Sequence, residues 1–252
     1  MSCKVIPQSL RLDKKQNWNS NWIADKNEYS KLFYFEHTLE EYVQKYGKRN
    51  GFSVTNVSLL KEETCINIFL NAYIITKKNE KNPIDIKFTS EISNLIKIYL
   101  KELNLNYTFK VHLINYNMYF PLVKKFFASK KKKYPFLIFR FLGVSHVGIL
   151  TKNINLITSF LAENLKKNPR HKKYLINMHK ILKKRYKTFK NCIGYKIQFK
   201  GRINGKARKK KFTLKAGNTP LNTLKYDIKY DLKEVITPYG ICSLKLWVFY
   251  KY

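Results

Sequence analysis

NCIGYKIQFKGRINGKARKKK, residues 191–211, decides how the C-terminal part of this chain is read. Tyr195, Ile197 and Phe199 alternate with Lys196, Gln198 and Lys200, so an extended strand turns three apolar side chains to one side and cations to the other. Gly201 and Gly205 bracket Arg202, Ile203 and Asn204, a spacing that predicts a tight hairpin whose backbone can come close to a phosphate. Lys206, Arg208, Lys209, Lys210 and Lys211 then put five cations into six residues. Such a segment needs a core on one side and an anion on the other.

Working outward, the residues just before it repeat the pattern on a helix. Tyr174, Leu175, Met178, Ile181 and Leu182 recur at helical spacing, while Arg170, Lys172, Lys173, Lys180, Lys183, Lys184 and Arg185 fill much of the rest. Leu156, Ile157, Phe160 and Leu161 predict an earlier helix that stops at Pro169. Strands are expected near 194–202, 206–214, 223–236 and 241–250. The C-terminal domain, 152–252, is therefore predicted as α+β, two helices against a four-stranded sheet.

Towards the N-terminus, residues 1–30 read as an irregular arm containing NWNSNW, with Trp18 and Trp22. Leu32, Phe35, Leu39 and Val43 predict a helix over 32–48, followed by strands at 53–60 and 64–73, a loop at 75–85, a helix over 92–103 and a strand at 107–115. That order makes 31–115 a small α/β domain. Residues 116–151 are basic and aromatic and read as an insertion. Within them YPFLIFRFLGVSHVGIL, 134–150, is too short and too interrupted by Arg140 and His146 to span a membrane, and is expected as a buried strand or helix.

The net charge of +34 arises from 50 Lys and Arg against 16 acids, far beyond what solubility requires. Between Leu103 and Tyr226 there are 30 Lys or Arg and one acid, Glu163, an asymmetry that points to a polyanion. Phosphate neutralisation by such residues gives salt-dependent, sequence-blind affinity. Tyr186, Phe189, Tyr195 and Phe212 are interleaved with the charge and could stack on bases, although core packing is the ordinary role of such residues. Cys3, Cys65, Cys192 and Cys242 are scattered without a CxxC pair, so neither a zinc site nor a disulfide framework is expected, and no other metal or cofactor. Catalysis is not expected either: Glu163, Asp227, Asp231 and Glu234 are the only carboxylates of the basic half and its continuation, and the five histidines form no HxxxH or HExxH pattern.

The C-terminal hundred residues resemble small-subunit ribosomal protein three. The residues that carry the resemblance include Gly194, Gly201-Arg202, Asn204-Gly205, Ala207-Arg208, Gly217, Pro220-Leu221, Asp227-Ile228, Tyr239-Gly240 and Trp247. Pro7, Arg11-Leu12 and the WNSNW arm match the start of the same family. The resemblance implies a protein of the small-subunit head with an N-terminal type II KH-like domain and a C-terminal α+β domain bordering the channel where mRNA comes in. It further implies contacts with small-subunit rRNA, with mRNA at that opening, and with the head proteins ten and fourteen. For RNA binding it carries over the helix residues Arg170, Lys172, Lys173 and Lys180 as a group, and the charge pattern adds Lys183 and Lys184. The strand and hairpin set joins them: Lys196, Lys200, Arg202, Asn204, Lys206, Arg208, Lys209, Lys210 and Lys211. The arm adds Trp18 and Trp22.

Three departures stand out. A KH domain grips single strands with a GxxG loop, yet no glycine occurs between Gly51 and Gly143, so the KH-like domain is degenerate. Lys206 stands where the family usually has Ala before an acid, and Ser243 where it tends to have Gly. Lys, Asn, Ile, Phe and Tyr, all with AT-rich codons, are abundant, and MSCKVIPQSLRL is neither a signal nor a transit peptide. A mitochondrially encoded version working in the matrix is therefore expected, with a plastid or AT-rich bacterial version as the alternative. A free single-strand RNA-binding or chaperone protein would share the charge but not the ribosomal pattern.

Overall fold

A computed structural model of the chain describes residues 6–12, 16–50, 52–62, 64–74, 84–102, 107–115, 136–207 and 209–251. The loop expected at 75–85 therefore lies outside the described residues up to 83, as do residues 116–135 of the basic aromatic stretch, Cys3 and Arg208. The chain divides into two compact units, one of residues 18–118 and one of residues 1–17 with 119–252.

In the first unit the order is α1 (Lys26–Asn50), β1 (Phe52–Lys61), β2 (Cys65–Ile74), α2 (Ile84–Glu102) and β3 (Thr108–Asn115). β1 pairs antiparallel with β2 and β2 parallel with β3, giving a sheet of order β1-β2-β3. A parallel neighbour cannot be reached by a hairpin, and α2 supplies the crossover. Leu32, Phe35, Leu39 and Val43 form the buried stripe of α1 and Ile92, Ile96 and Leu100 that of α2, and both pack on Val54, Val57, Leu59, Ile66, Ile68 and Leu70. α1 begins at Lys26 rather than near Leu32, because its first turn is closed by Glu28 and Tyr29 amides donating to the Asp25 carbonyl.

The second unit contains α3 (Phe136–Leu150), α4 (Ile154–Lys167), α5 (His171–Arg185), β4 (Cys192–Gly201), β5 (Lys210–Gly217), β6 (Tyr226–Thr237) and β7 (Gly240–Lys251). The sheet is antiparallel in the order β5-β4-β7-β6. Helices cover one face, where Tyr195, Ile197 and Phe199 of β4 lie in register with Val248, Leu246 and Leu244 of β7, all buried. α3 joins α4 and α5 as a third helix of this unit. It is buried along Phe141, Leu142, Val144, Val147 and Ile149, which is why its sequence shows no stripe.

The start of the chain is stitched into this unit. The Arg11 side chain is wholly buried and donates to the carbonyls of Pro7, Leu221, Thr223 and Tyr226. Gln16 Nε2 donates to Asp227 Oδ1 at 2.5 Å and to the Ile228 carbonyl at 3.0 Å. At the other edge Gly217 closes β5 with φ +71°, and a Cβ there would stand 2.2 Å from the Ile193 carbonyl. Only glycine lets the two strands stay this close.

Candidate nucleic-acid interface

α5 is a 15-residue helix that buries His171, Tyr174, Leu175, Met178, Ile181 and Leu182 and leaves Lys172, Lys173, Lys180, Lys183 and Lys184 exposed. Its cap residue, Arg170, is exposed and makes no side-chain cap hydrogen bond, and no acid occupies the first turn. Lys183, Lys184 and Arg185 suit the negative end of the helix dipole. Arg170, Lys172 and Lys173 oppose its positive end, an arrangement that costs about 0.3–1 kcal/mol per charge in the free protein and is relieved by an anion.

The expected tight hairpin at 201–205 is replaced by a longer connection, and β5 starts at Lys210, paired with Gly201, instead of near Lys206. The cause is tertiary. Residues 203–205 form a short turn in which Asn204 takes φ +54°, and Asn204 is latched to the start of α5. Its Oδ1 accepts the Lys172 amide at 3.2 Å, and its own amide donates to His171 Nδ1 at 3.4 Å. Arg202 Nε donates to the Gly205 carbonyl at 3.2 Å, and Lys172 Nζ lies 5.7 Å from the centre of the Phe212 ring. Exposed Arg170, Lys172, Lys173, Arg202 and Lys206 thus gather around one latch, and exposed Lys209, Lys210 and Lys211 lead away from it.

His171 is the residue that sequence patterning missed. It is fully buried, edge-on to Phe199 at 5.5 Å and Tyr239 at 5.9 Å, and burial holds it below the ordinary histidine range. The neutral ring is the form that accepts the Asn204 amide. His146 and His179 are also lowered, by burial first and then by Arg185 and Lys183 respectively. Unfolding frees all three to bind protons, so their contribution is complete above about pH 6.5 and is lost as pH falls towards their depressed folded values. Urea midpoints are expected to drop from pH 7 to pH 5, and His171→Gln is expected to flatten that slope. An unchanged slope in the variant would show that His171 binds protons alike in the folded and unfolded chain.

The remaining sequence candidates are placed as follows. Lys200 is exposed on β4, whereas Lys196 is half-buried with Nζ 4.8 Å from the Trp247 ring. Trp18 and Trp22 belong to the other unit. Trp18 is 60% exposed, but Trp22 is half-buried, donates Nε1 to Glu36 at 2.9 Å and lies 5.2 Å from Tyr29. Tyr195 is buried with its hydroxyl donating to the His179 carbonyl at 3.0 Å, and so cannot reach a base.

Two of the four carboxylates, Asp227 and Asp231, serve the fold. Asp227 holds Gln16 and, at 3.2 Å, Lys152; Asp231 accepts from the Thr158 hydroxyl. Among the described residues no three His, Cys, Asp or Glu converge as metal ligands, and no helix is long and apolar enough to cross a membrane. Cys192 and Cys242 are buried and Cys65 half-buried, and burial pushes the Cys192 thiol up to about 12.

Comparison with known proteins supplies the context of this basic surface. Residues 161–248 match the family described as ribosomal protein S3, C-terminal domain. The small ribosomal subunit protein uS3 of Phytoplasma australiense is 25% identical over 251 residues, covering 99% of this chain and 83% of that one. Proteins of the same name from Borreliella afzelii (strain PKo) and Borrelia turicatae (strain 91E135) are each 23% identical, again over 99% of this chain, and over 71% and 75% of theirs. Residues 161–248 are thus similar to the C-terminal domain of ribosomal protein S3, and nearly the whole chain is similar to small ribosomal subunit proteins named uS3.

Proposed function

We propose that this chain is the uS3 of a mitochondrial small ribosomal subunit, binding rRNA in the subunit head and bordering the channel through which mRNA enters. The observation that carries this proposal is the latch between Asn204 and the start of α5. It gathers Arg170, Lys172, Lys173, Arg202 and Lys206 on one surface without an acid in the first turn of the helix. Lysines there make sequence-blind phosphate contacts that can form and release as a message moves. The α-β-β-α-β order of residues 26–115, with its parallel β2-β3 pair, supports a KH-like unit, and the lack of glycine from 52 to 142 removes the usual single-strand grip from it. The AT-biased composition, the missing GxxG and the basic aromatic stretch at 116–151 together favour the mitochondrial setting over a plastid or an AT-rich bacterium. Proteins ten and fourteen of the small subunit are its proposed neighbours.

Two experiments test this. The chain is expected to co-sediment with small subunits at high salt, which a free RNA-binding protein would not do. Replacing Arg170, Lys172, Lys173 and Lys180 together by Ala is expected to leave assembly intact and to reduce translation of hairpin-containing messages by about tenfold relative to unstructured ones, the effect of losing about 1.4 kcal/mol at the strand-separating step. Equal loss on both messages together with poor assembly would assign these cations to rRNA instead.

A further inference from the structure

The face of the β4–β7 sheet away from the helices is defined by register. Three successive rungs cross it. Lys215 of β5 stands beside Lys196 of β4 and then Trp247 and Tyr230; Thr213 stands beside Gln198, Lys245 and Leu232; Lys211 stands beside Lys200, Ser243 and Glu234. Lys200, Lys211 and Lys215 are exposed, and Lys196 and Lys245 half-buried. Adjacent strands lie about 4.8 Å apart and alternate residues about 6–7 Å apart, so five ammonium groups are spread over a patch three strands wide. Glu234 is the one carboxylate in these rungs, and it sits on the opposite edge strand.

We infer that this open face is a second polyanion-binding surface, distinct from α5, on which the phosphate backbone of structured RNA lies across β5, β4 and β7. The inference rests on the RNA-binding role proposed above. Two features favour it. First, Lys196 is directly opposite Lys215 and Lys200 directly opposite Lys211, and like charges in such pairs destabilise a free sheet. The arrangement is favourable only when something anionic covers it. Second, the aromatic on this face is shielded: Trp247 is 8% exposed, with the Lys196 ammonium over its ring and Tyr230 at 5.3 Å. It offers neither a base-stacking platform nor the aromatic anchor that a protein interface would use, and lysine is depleted from the centres of protein interfaces. What remains is a grid of point charges suited to phosphates irrespective of sequence.

The test is the full chain with Lys200→Gln, Lys211→Gln, Lys215→Gln and Lys245→Gln, leaving Lys196 on its tryptophan. The probes are a small-subunit rRNA transcript and, separately, polyglutamate. With the transcript, Kd is expected to rise at least tenfold at fixed salt, and the slope of log Kd against log salt to shrink by about 3, close to one unit per lost phosphate contact. In the RNA-free protein, Tm is expected to rise by about 2–4 °C as the opposed pairs are relieved.

Unchanged affinity and slope in a natively folded variant would overturn the inference. Loss of polyglutamate binding with RNA binding intact would overturn it in favour of an acidic protein partner. A lowered Tm accompanying weaker RNA binding would overturn it in favour of a structural role for these lysines. Failure of the wild-type chain to bind the transcript would instead overturn the RNA role as a whole, which separates the two ideas.

Discussion

Arg11→Ala is expected to lower the stability of the C-terminal unit by about 3 kcal/mol, the largest loss from any single side chain near the start of the chain. The guanidinium is fully buried and meets four carbonyls, those of Pro7, Leu221, Thr223 and Tyr226, none of which carries a charge. Truncation strands these acceptors, each costing roughly 1–3 kcal/mol when left dry, with part of the total returned by no longer burying a cation. Arg11→Lys is expected to recover only a fraction, because a single ammonium cannot reach acceptors arranged around a planar fork. Urea unfolding at neutral pH checks both, through a lower midpoint at unchanged m. A wild-type midpoint in Arg11→Ala would mean that water replaces the guanidinium at little cost.

Trp247→Ala is the second large effect, expected to cost about 3–5 kcal/mol. Trp247 shares a small core with Ile228 and Phe249 on the open face, flanked by Ile193, Leu221 and Tyr230. On sequence alone, apolar residues on both faces of β7 call for outside cover of the second face, by rRNA or a neighbouring protein. The chain provides much of that cover itself: Leu221 packs on this core, and its carbonyl is one of those held by Arg11. The loss is therefore expected in the isolated protein as well as in subunit incorporation. Trp247→Phe is expected to keep most of the stability. If Trp247→Ala unfolds at the wild-type urea concentration yet fails to enter subunits, the tryptophan acts at an interface and not in the core.

How far the sequence could be read depended on the range of the interactions involved. The alternation in β4 was legible because Tyr195, Ile197 and Phe199 announce their common face within five residues. The buried stripes of α1, α4 and α5 were legible for the same reason. α3 was legible only as a buried strand or helix, since a helix buried on nearly all sides has no periodicity to separate the two. The hairpin at Gly201 was misjudged because its geometry is set by His171 and Lys172, more than thirty residues earlier in the chain. For the basic surface, sequence supplied the residue types of α5 and β4 but not the grouping around Asn204. It also passed over Lys215 and Lys245, whose meaning depends on which strands are neighbours.

The bonds made by Arg11 also set a timetable. The Arg11 side chain closes contacts 210, 212 and 215 residues further along the chain, whereas the unit of residues 18–118 finds all its strand partners within itself. During synthesis the intervening unit can complete its sheet while Arg11 is still without its partners at 221–226. Contacts this distant carry a closure cost and form late. The segment around Arg11, made before the unit of residues 18–118, therefore folds after it and waits until Leu221, Thr223 and Tyr226 have been made.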